Sequence, residues 1–173
     1  AIGAEGVVVT ELGADPAHMT RTEPGTFFNH AVSGGLGWGL PAALGVQLAD
    51  RRRLVAACIG DGSYIFANPT ACHQIAEALD LPLLIVVFDN GQWNAVRRST
   101  LDIFPDGHAA RANRMPVTSL APMPDFRQTV AASRGWAERV ETGADLPAAL
   151  ERAIRVIREE RRQALLDVVV APW

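Results

Sequence analysis

The chain has 173 residues, the size of one α/β domain, and its 49% hydrophobic and 20% charged residues can fill a core, which excludes a disordered chain. Sixteen basic against nineteen acidic residues leave a net charge of -3, too little positive charge for a nucleic-acid surface. No apolar stretch approaches the roughly 18 residues of a membrane span, and no basic region followed by an apolar one opens the chain.

In chain order, Val7 to Thr10 reads as a strand. After irregular sequence, the glycine-rich Ser33-Gly34-Gly35-Leu36-Gly37-Trp38-Gly39 leads into a helix over Leu40 to Ala49. A second strand, Leu54 to Ile59, runs into Gly60-Asp61-Gly62-Ser63; a helix follows over Pro69 to Leu79, then a strand over Leu83 to Phe88 that ends on Asp89-Asn90-Gly91. Helical spacing returns over Trp93 to Ile103. From Phe104 to Pro124, four prolines and the basic trio His108, Arg111 and Arg114 read as a long ordered loop, and residues 104–124 are a candidate active-site loop. Next come a helix over Phe126 to Ser133, a strand over Trp136 to Val140, a helix over Leu146 to Arg161 and a last strand over Leu165 to Val170. In the long helix, Leu146, Leu150, Ile154 and Ile157 recur at helical spacing while Glu151 and Arg155 pair on the wet face. Short, nearly all-apolar strands alternating with helices predict one domain over 1–173: a three-layer, doubly wound α/β fold whose mainly parallel sheet carries helices on both faces. Cys58 and Cys72 lack CxxC spacing and read as reduced core thiols of an intracellular, cytoplasmic protein. The first residue is not Met, as in a piece of a longer chain.

Asp61, between two glycines at the carboxyl end of a strand, sits where parallel α/β sheets bind ligands. Asn90 lies 29 positions further on, at the end of the next strand of a βαβ unit, and a right-handed crossover brings the two strand ends side by side. An Asp oxygen, an Asn amide oxygen and a nearby backbone carbonyl form a hard, oxygen-only half-shell suited to Mg²⁺, with phosphate and water completing it. Read alone, Asp61 is a turn or capping residue and Asn90-Gly91 a tight turn; the pair, followed by helical periodicity, favours the metal reading. Gly37-x-Gly39-x-x-Ala42 with Asp61 imitates a dinucleotide fingerprint, but that requires a strand running into the first glycine, and Asn29 to Leu36 does not read as one.

The string GDGSYIFANPTACHQIAEALDLPLLIVVFDNGQWNAVRR resembles the metal and diphosphate motif of thiamine-diphosphate enzymes, and Ser33 to Ala43 resembles the segment before GDG in benzoylformate decarboxylase and the acetolactate synthases. The resemblance covers nearly the whole chain and implies the C-terminal, diphosphate-binding domain of that family. It implies that Asp61, the Asn90 side chain and the Gln92 carbonyl bind Mg²⁺, and that Gly60, Gly62 and Ser63 hold the diphosphate of thiamine diphosphate. The Gly34 carbonyl would accept from the cofactor's exocyclic amine and Leu36 would support its bent shape. His30 is the candidate catalytic residue, and with Ala95 and Ser99 matches pocket-lining positions for a small 2-oxo acid. Four positions depart from the family pattern. Asp89 stands where many relatives have Asn, and Asn94 where they often have Gly. Gly13 and Ala14 stand where relatives carry hydroxyl donors after the first strand.

The implied chemistry is decarboxylation of a 2-oxo acid, giving an aldehyde or, on a second carbonyl, a 2-hydroxy ketone or acetohydroxy acid; a hydroxyacyl-CoA lyase belongs to the same class. It further implies a partner, the glutamate-bearing pyrimidine-binding domain of the same protein or a neighbouring subunit, in a homodimer or tetramer, with no nucleic acid and no membrane. The competing reading is a noncatalytic module that binds a diphosphate cofactor. His18 and His108 read as exposed loop residues, His73 as facing outward or capping a polar contact, Arg51-Arg52-Arg53 as solvated surface, and Arg97 and Arg98 as either surface or leaning toward the diphosphate.

Overall fold

The structure, a computed structural model, describes residues 1–30, 32–112, 115 and 117–171; Arg114 of the basic trio lies outside them. Its centre is a six-stranded sheet of β1 (Val7–Glu11), β2 (Phe27–Asn29), β3 (Val55–Gly60), β4 (Leu84–Asp89), β5 (Trp136–Val140) and β6 (Ala164–Val169), in the order β2-β1-β3-β4-β6-β5. Every pairing is parallel, so the predicted mainly parallel sheet is wholly parallel among the described residues. The helices are α1 (Gly39–Ala49), α2 (Asp61–Phe66), α3 (Pro69–Ala78), α4 (Asn94–Ile103), α5 (His108–Ala112), α6 (Phe126–Ala131) and α7 (Leu146–Arg155).

Successive strand residues point to opposite faces. Ile85, Val87, Ala57, Ile59, Val7, Val9 and Leu165 pack with Leu40, Leu44, Tyr64, Cys72 and Phe126, which puts α1, α2, α3 and α6 on one face. Leu84, Val86, Leu166 and Val168 pack with Ala149, Ala153, Val156 and Ile157 on the other, under α7. This double coverage is why the strands read as unbroken apolar runs. The winding reverses between β1 and β3, and a ligand crevice forms at such a switch point beyond the carboxyl ends of the strands.

All five strands read from sequence are present, within a residue of their expected ends. The unread strand is β2, a three-residue edge strand too short to show a pattern, paired to β1 from Val8↔Phe27 to Thr10↔Asn29. The expected helix to Arg161 is α-helical only to Arg155 and then takes one π turn, Val156–Glu160, before Arg161 turns left-handed at φ 52°. Segment 104–124 is less irregular than its prolines suggest: it contains α5, and Ser119 bridges to Gln92. The Arg51-Arg52-Arg53 run is not merely solvated. Arg51 donates to the Leu79 carbonyl at 2.7 Å and Arg53 to the Glu5 carbonyl at 2.7 Å, tying loops at the amino end of the sheet. Cys72 is a buried thiol and Cys58 a half-buried one whose pKa burial pushes up to about 12, as expected of inert core cysteines.

His73 corrects its outward reading, for it is 1% exposed. The Gln163 amide donates to the His73 carbonyl at 3.0 Å, so its oxygen accepts from His73 Nδ1–H at 2.6 Å. This tautomer leaves Nε2 to accept the Tyr64 hydroxyl at 2.7 Å. The chain of bonds ties α2, which starts on Asp61, to α3 and to the entry of β6. Tyr64 also packs edge-on against Phe126, centroids 4.8 Å apart. Burial lowers the His73 pKa below its ordinary 6.5. Between the lowered folded value and 6.5 the unfolded chain binds the extra proton, so stability falls as pH drops through that window. Thermal unfolding followed by circular dichroism from about pH 7.5 to about pH 5 is expected to show that fall, and a shallower one in His73→Gln.

Candidate cofactor and metal site

The site is built at the carboxyl ends of β1, β3 and β4. Asp61 is the first residue of α2 and is 2% exposed. Its Oδ1 accepts the Gly62 amide at 2.7 Å; its Oδ2 accepts the amides of Asn90 at 2.9 Å and Gly91 at 2.7 Å. The expected meeting of two strand ends is thus made by one carboxylate. Burial raises the Asp61 pKa, the three amides oppose that shift, and the neighbouring Asp89 charge adds to it. A buried carboxylate destabilised as an anion suits a nearby cation.

The turn after β4 is held from both sides. The Asn90 side-chain oxygen accepts the Gln92 amide at 3.1 Å, Trp93 N–H donates to the Thr118 carbonyl at 2.9 Å, and Leu120 N–H donates to the Gly91 carbonyl at 2.9 Å. Segment 104–124 therefore buttresses this turn through its last residues. The Gln92 carbonyl accepts Asn94 N–H at 2.8 Å and keeps a second lone pair, as does the Asn90 oxygen. A cavity of about 240 Å³ is lined by Gly60, Asp61, Gly62, Ser63, Asn90 and Gln92, with Leu36 and Ala95 at its apolar side. Gly34, His30 and Ser99 do not line it. Arg98 does, so of the two arginines on α4 that one leans toward the diphosphate residues.

Two features of the cavity fit a diphosphate with a divalent cation. Asp61, Asn90 and Gln92, which carry hard oxygen donors, line the same cavity. Trp93 Nε1 is a buried donor and Asn94 Oδ1 a buried acceptor, both on lining residues and both without a partner. Gly62 is bare because the Trp93 ring lies on it: a Cβ there would come within 2.2 Å of Trp93 Cδ1. The Gly62 amide, expected to face the diphosphate, is spent on Asp61 Oδ1 instead.

Glu11 is a residue beside the site that sequence reading left without a role. Fully buried at the end of β1, it accepts Gly37 N–H at 2.7 Å and Gly39 N–H at 2.5 Å. It thereby satisfies orphan amides where α1 begins, an end that lacks a side-chain cap from Trp38. A carboxylate at a strand end facing a glycine-rich helix start was the available signal. Gly37 has φ 88° and a Cβ there would lie 2.7 Å from the Ala67 amide, so the segment packs backbone to backbone on the end of α2. Gly13 is equally confined, 2.5 Å from the Cys58 carbonyl for an added Cβ, and Ala14 N–H is taken by Thr10 Oγ1 at 2.9 Å. The loop after β1 is thus folded back on β3. His30 Nε2 meets the Gly34 carbonyl at 3.2 Å, joining two residues read separately from sequence.

A parallel doubly wound sheet with Asp61 at the end of β3, beside the β1/β3 switch point, defines an α/β domain that binds its ligand beyond the carboxyl ends of the strands. Residues 12–168 match the family model described as thiamine pyrophosphate enzyme, C-terminal TPP binding domain, and the chain belongs to that family. It is 45% identical over 75 residues to benzoylformate decarboxylase of Pseudomonas aeruginosa, covering 43% of this chain and 14% of that protein. With acetolactate synthase isozyme 2 large subunit of Escherichia coli the identity is 30% over 152 residues, 86% of this chain and 26% of that one. The fold matches a thiamine diphosphate-dependent 4-hydroxybenzoylformate decarboxylase of Rhodococcus jostii, with a TM-score of 0.78 at 25% identity over 98% of this chain and 30% of the other. The chain thus spans less than a third of each of these proteins.

Glu11→Gln turns one of its two acceptors into a donor facing an amide. Urea unfolding is expected to show a loss of about 1–3 kcal/mol, the cost of a buried donor left unpaired.

Proposed function

We propose that this chain is the diphosphate- and Mg²⁺-binding domain of an enzyme that decarboxylates a small 2-oxo acid and releases an aldehyde or joins the fragment to a second carbonyl. The observation that carries the reading is the Asp61 carboxylate drawing the Asn90 turn to the end of β3, so that three oxygen donors line one cavity. In this reading Asp61, Asn90 and the Gln92 carbonyl hold Mg²⁺, while Gly60, Gly62 and Ser63 border the diphosphate and Trp93 Nε1 supplies a donor to it. Bound thiamine diphosphate would supply a nucleophilic carbon and an electron sink for loss of CO₂.

The Gly34 carbonyl accepts the cofactor's amine, and its second lone pair lets His30 stay bonded to it. His30 exchanges a proton with the substrate through Nδ1, its Nε2 being held by Gly34, and Ala95, which lines the cavity, and Ser99, one turn further along α4 and outside it, flank the substrate. Leu12, Leu36 and Val96, 63%, 37% and 55% exposed, are large apolar side chains bordering the same cavity, a surface that suits the ring of a ligand or the face of a second domain. Segment 104–124 serves as the active-site loop, anchored by the Gln92–Ser119 bridge. The pyrimidine-binding domain, elsewhere in the protein or in a neighbouring subunit of a cytoplasmic homodimer or tetramer, completes the site. A relative named 2-hydroxyacyl-CoA lyase, from Oryza sativa, is 29% identical over the whole of this chain and supports a lyase reading within the same class.

The test uses the full-length protein. Calorimetry is expected to show thiamine diphosphate binding that needs Mg²⁺ and is abolished by EDTA. Asp61→Asn, which keeps an acceptor for the amides, is expected to lose at least about tenfold in affinity, the weight of about 1.4 kcal/mol. A panel of 2-oxo acids and 2-hydroxyacyl thioesters, followed by CO₂ release and product mass, assigns the substrate. Binding that ignores EDTA would overturn the metal assignment.

A further inference from the structure

Asp89 brings a carboxylate to the residue before a proposed metal ligand, and the structure shows what answers it. Asp89, Asp167 and Arg139 stand on three neighbouring strands, β4, β6 and β5. Register pairs Arg139 with Asp167 and Asp167 with Val87, two residues before Asp89, so all three side chains rise from the same sheet face toward its carboxyl end. Arg139 Nη1 donates to Asp89 Oδ2 at 2.9 Å and also to Asp167 Oδ2. The other Asp89 oxygen accepts Gly91 N–H at 3.1 Å, and the Asp89 carbonyl accepts Val170 N–H at 2.9 Å. Gly91 N–H is shared with Asp61, so the turn hangs between two carboxylates, and Asp89 is the one that carries the Arg139 ion pair.

The two aspartate side chains are 6% and 3% exposed, whereas Arg139, on the edge strand β5, is 35% exposed and reaches inward to them. Two buried carboxylates facing one another without a cation repel strongly. Remove the guanidinium, and Asp89 gains by turning toward any divalent cation held at Asp61, which would pull Gly91 and Gln92 out of place.

We propose that Arg139 is a positioning residue for the metal-binding turn: it neutralises Asp89, ties it to Asp167, and so keeps Asp89 off the cation and its Oδ1 on the Gly91 amide. Its need follows from the aspartate at position 89, and an asparagine there removes that need. The inference rests on the reading of Asp61, Asn90 and Gln92 as Mg²⁺ ligands.

The test is a cycle of Arg139→Met, Asp89→Asn and the double variant in the full-length protein. The readout is quenching of tryptophan fluorescence by thiamine diphosphate, Trp93 lying in the cavity, titrated with Mg²⁺. Arg139→Met is expected to raise the half-saturating Mg²⁺ concentration about tenfold, Asp89→Asn to leave it within about threefold, and the double variant to return to within about threefold of the parent, as coupled neighbours do. A purely structural ion pair would lower the melting temperature of Arg139→Met and leave the Mg²⁺ titration unmoved, which overturns the proposal. Failure of the double variant to recover overturns it too. Should Arg139→Met not fold, Arg139→Lys, which keeps the charge without the planar fork, decides by the same titration: a shift of about threefold supports the proposal, and none overturns it. If the parent protein binds the cofactor without Mg²⁺, the ligand reading falls and this inference falls with it. If the parent needs Mg²⁺ and only Arg139→Met is indifferent, the inference alone is lost.

Discussion

Three backbone amides converge on the Asp61 carboxylate, and the geometry of the site depends on that convergence. One amide belongs to the start of α2 and two to the turn after β4, a residue span of about thirty bridged by a single side chain. A neutral side chain cannot accept as strongly from three N–H groups. Asp61 is therefore both a structural acceptor and a hard oxygen donor. Its burial raises the free energy of its charged form, which a divalent cation would offset.

A second carboxylate repeats the device at the switch point. Glu11 gathers the amides of Gly37 and Gly39 as Asp61 gathers those of Asn90 and Gly91. Between them the ends of β1, β3 and β4 are joined to the loops that would touch a ligand, through backbone donors that only a substitution to proline removes. The Tyr64–His73–Gln163 chain then fixes α2 from behind, linking the site to the core face of the sheet. A rigid rear and a loop-built front are what preorganisation requires: the donors need not be ordered again when the ligand arrives.

The strands, the long helices and the Asp61–Asn90 pairing were legible because each has a local pattern: apolar runs buried on both faces, helical spacing, and glycines at strand ends. What escaped was set by tertiary packing. β2 is three residues held by its neighbour, and nothing in Phe27-Phe28-Asn29 distinguishes it from loop. His73 read as facing outward or capping a polar contact, since its partner Gln163 lies ninety positions away in sequence. Glu11 and Arg139 lie outside the glycine motifs, and their roles appear only when β1 is set beside the α1 entry and β5 beside β6. Asp89, which stands where many relatives have Asn, is balanced by a residue fifty positions later.

The central claim is that the Asp61 carboxylate and the turn it holds form one divalent-cation site. The most direct measurement is anomalous diffraction from crystals of the full-length protein grown with thiamine diphosphate and Mn²⁺ in place of Mg²⁺. The expected result is a single peak bounded by an Asp61 oxygen, the Asn90 side-chain oxygen and the Gln92 carbonyl, each at about 2.1 Å, with phosphate oxygens completing the shell. A peak ligated by other side chains, or bound cofactor with no peak beside Asp61, would contradict it.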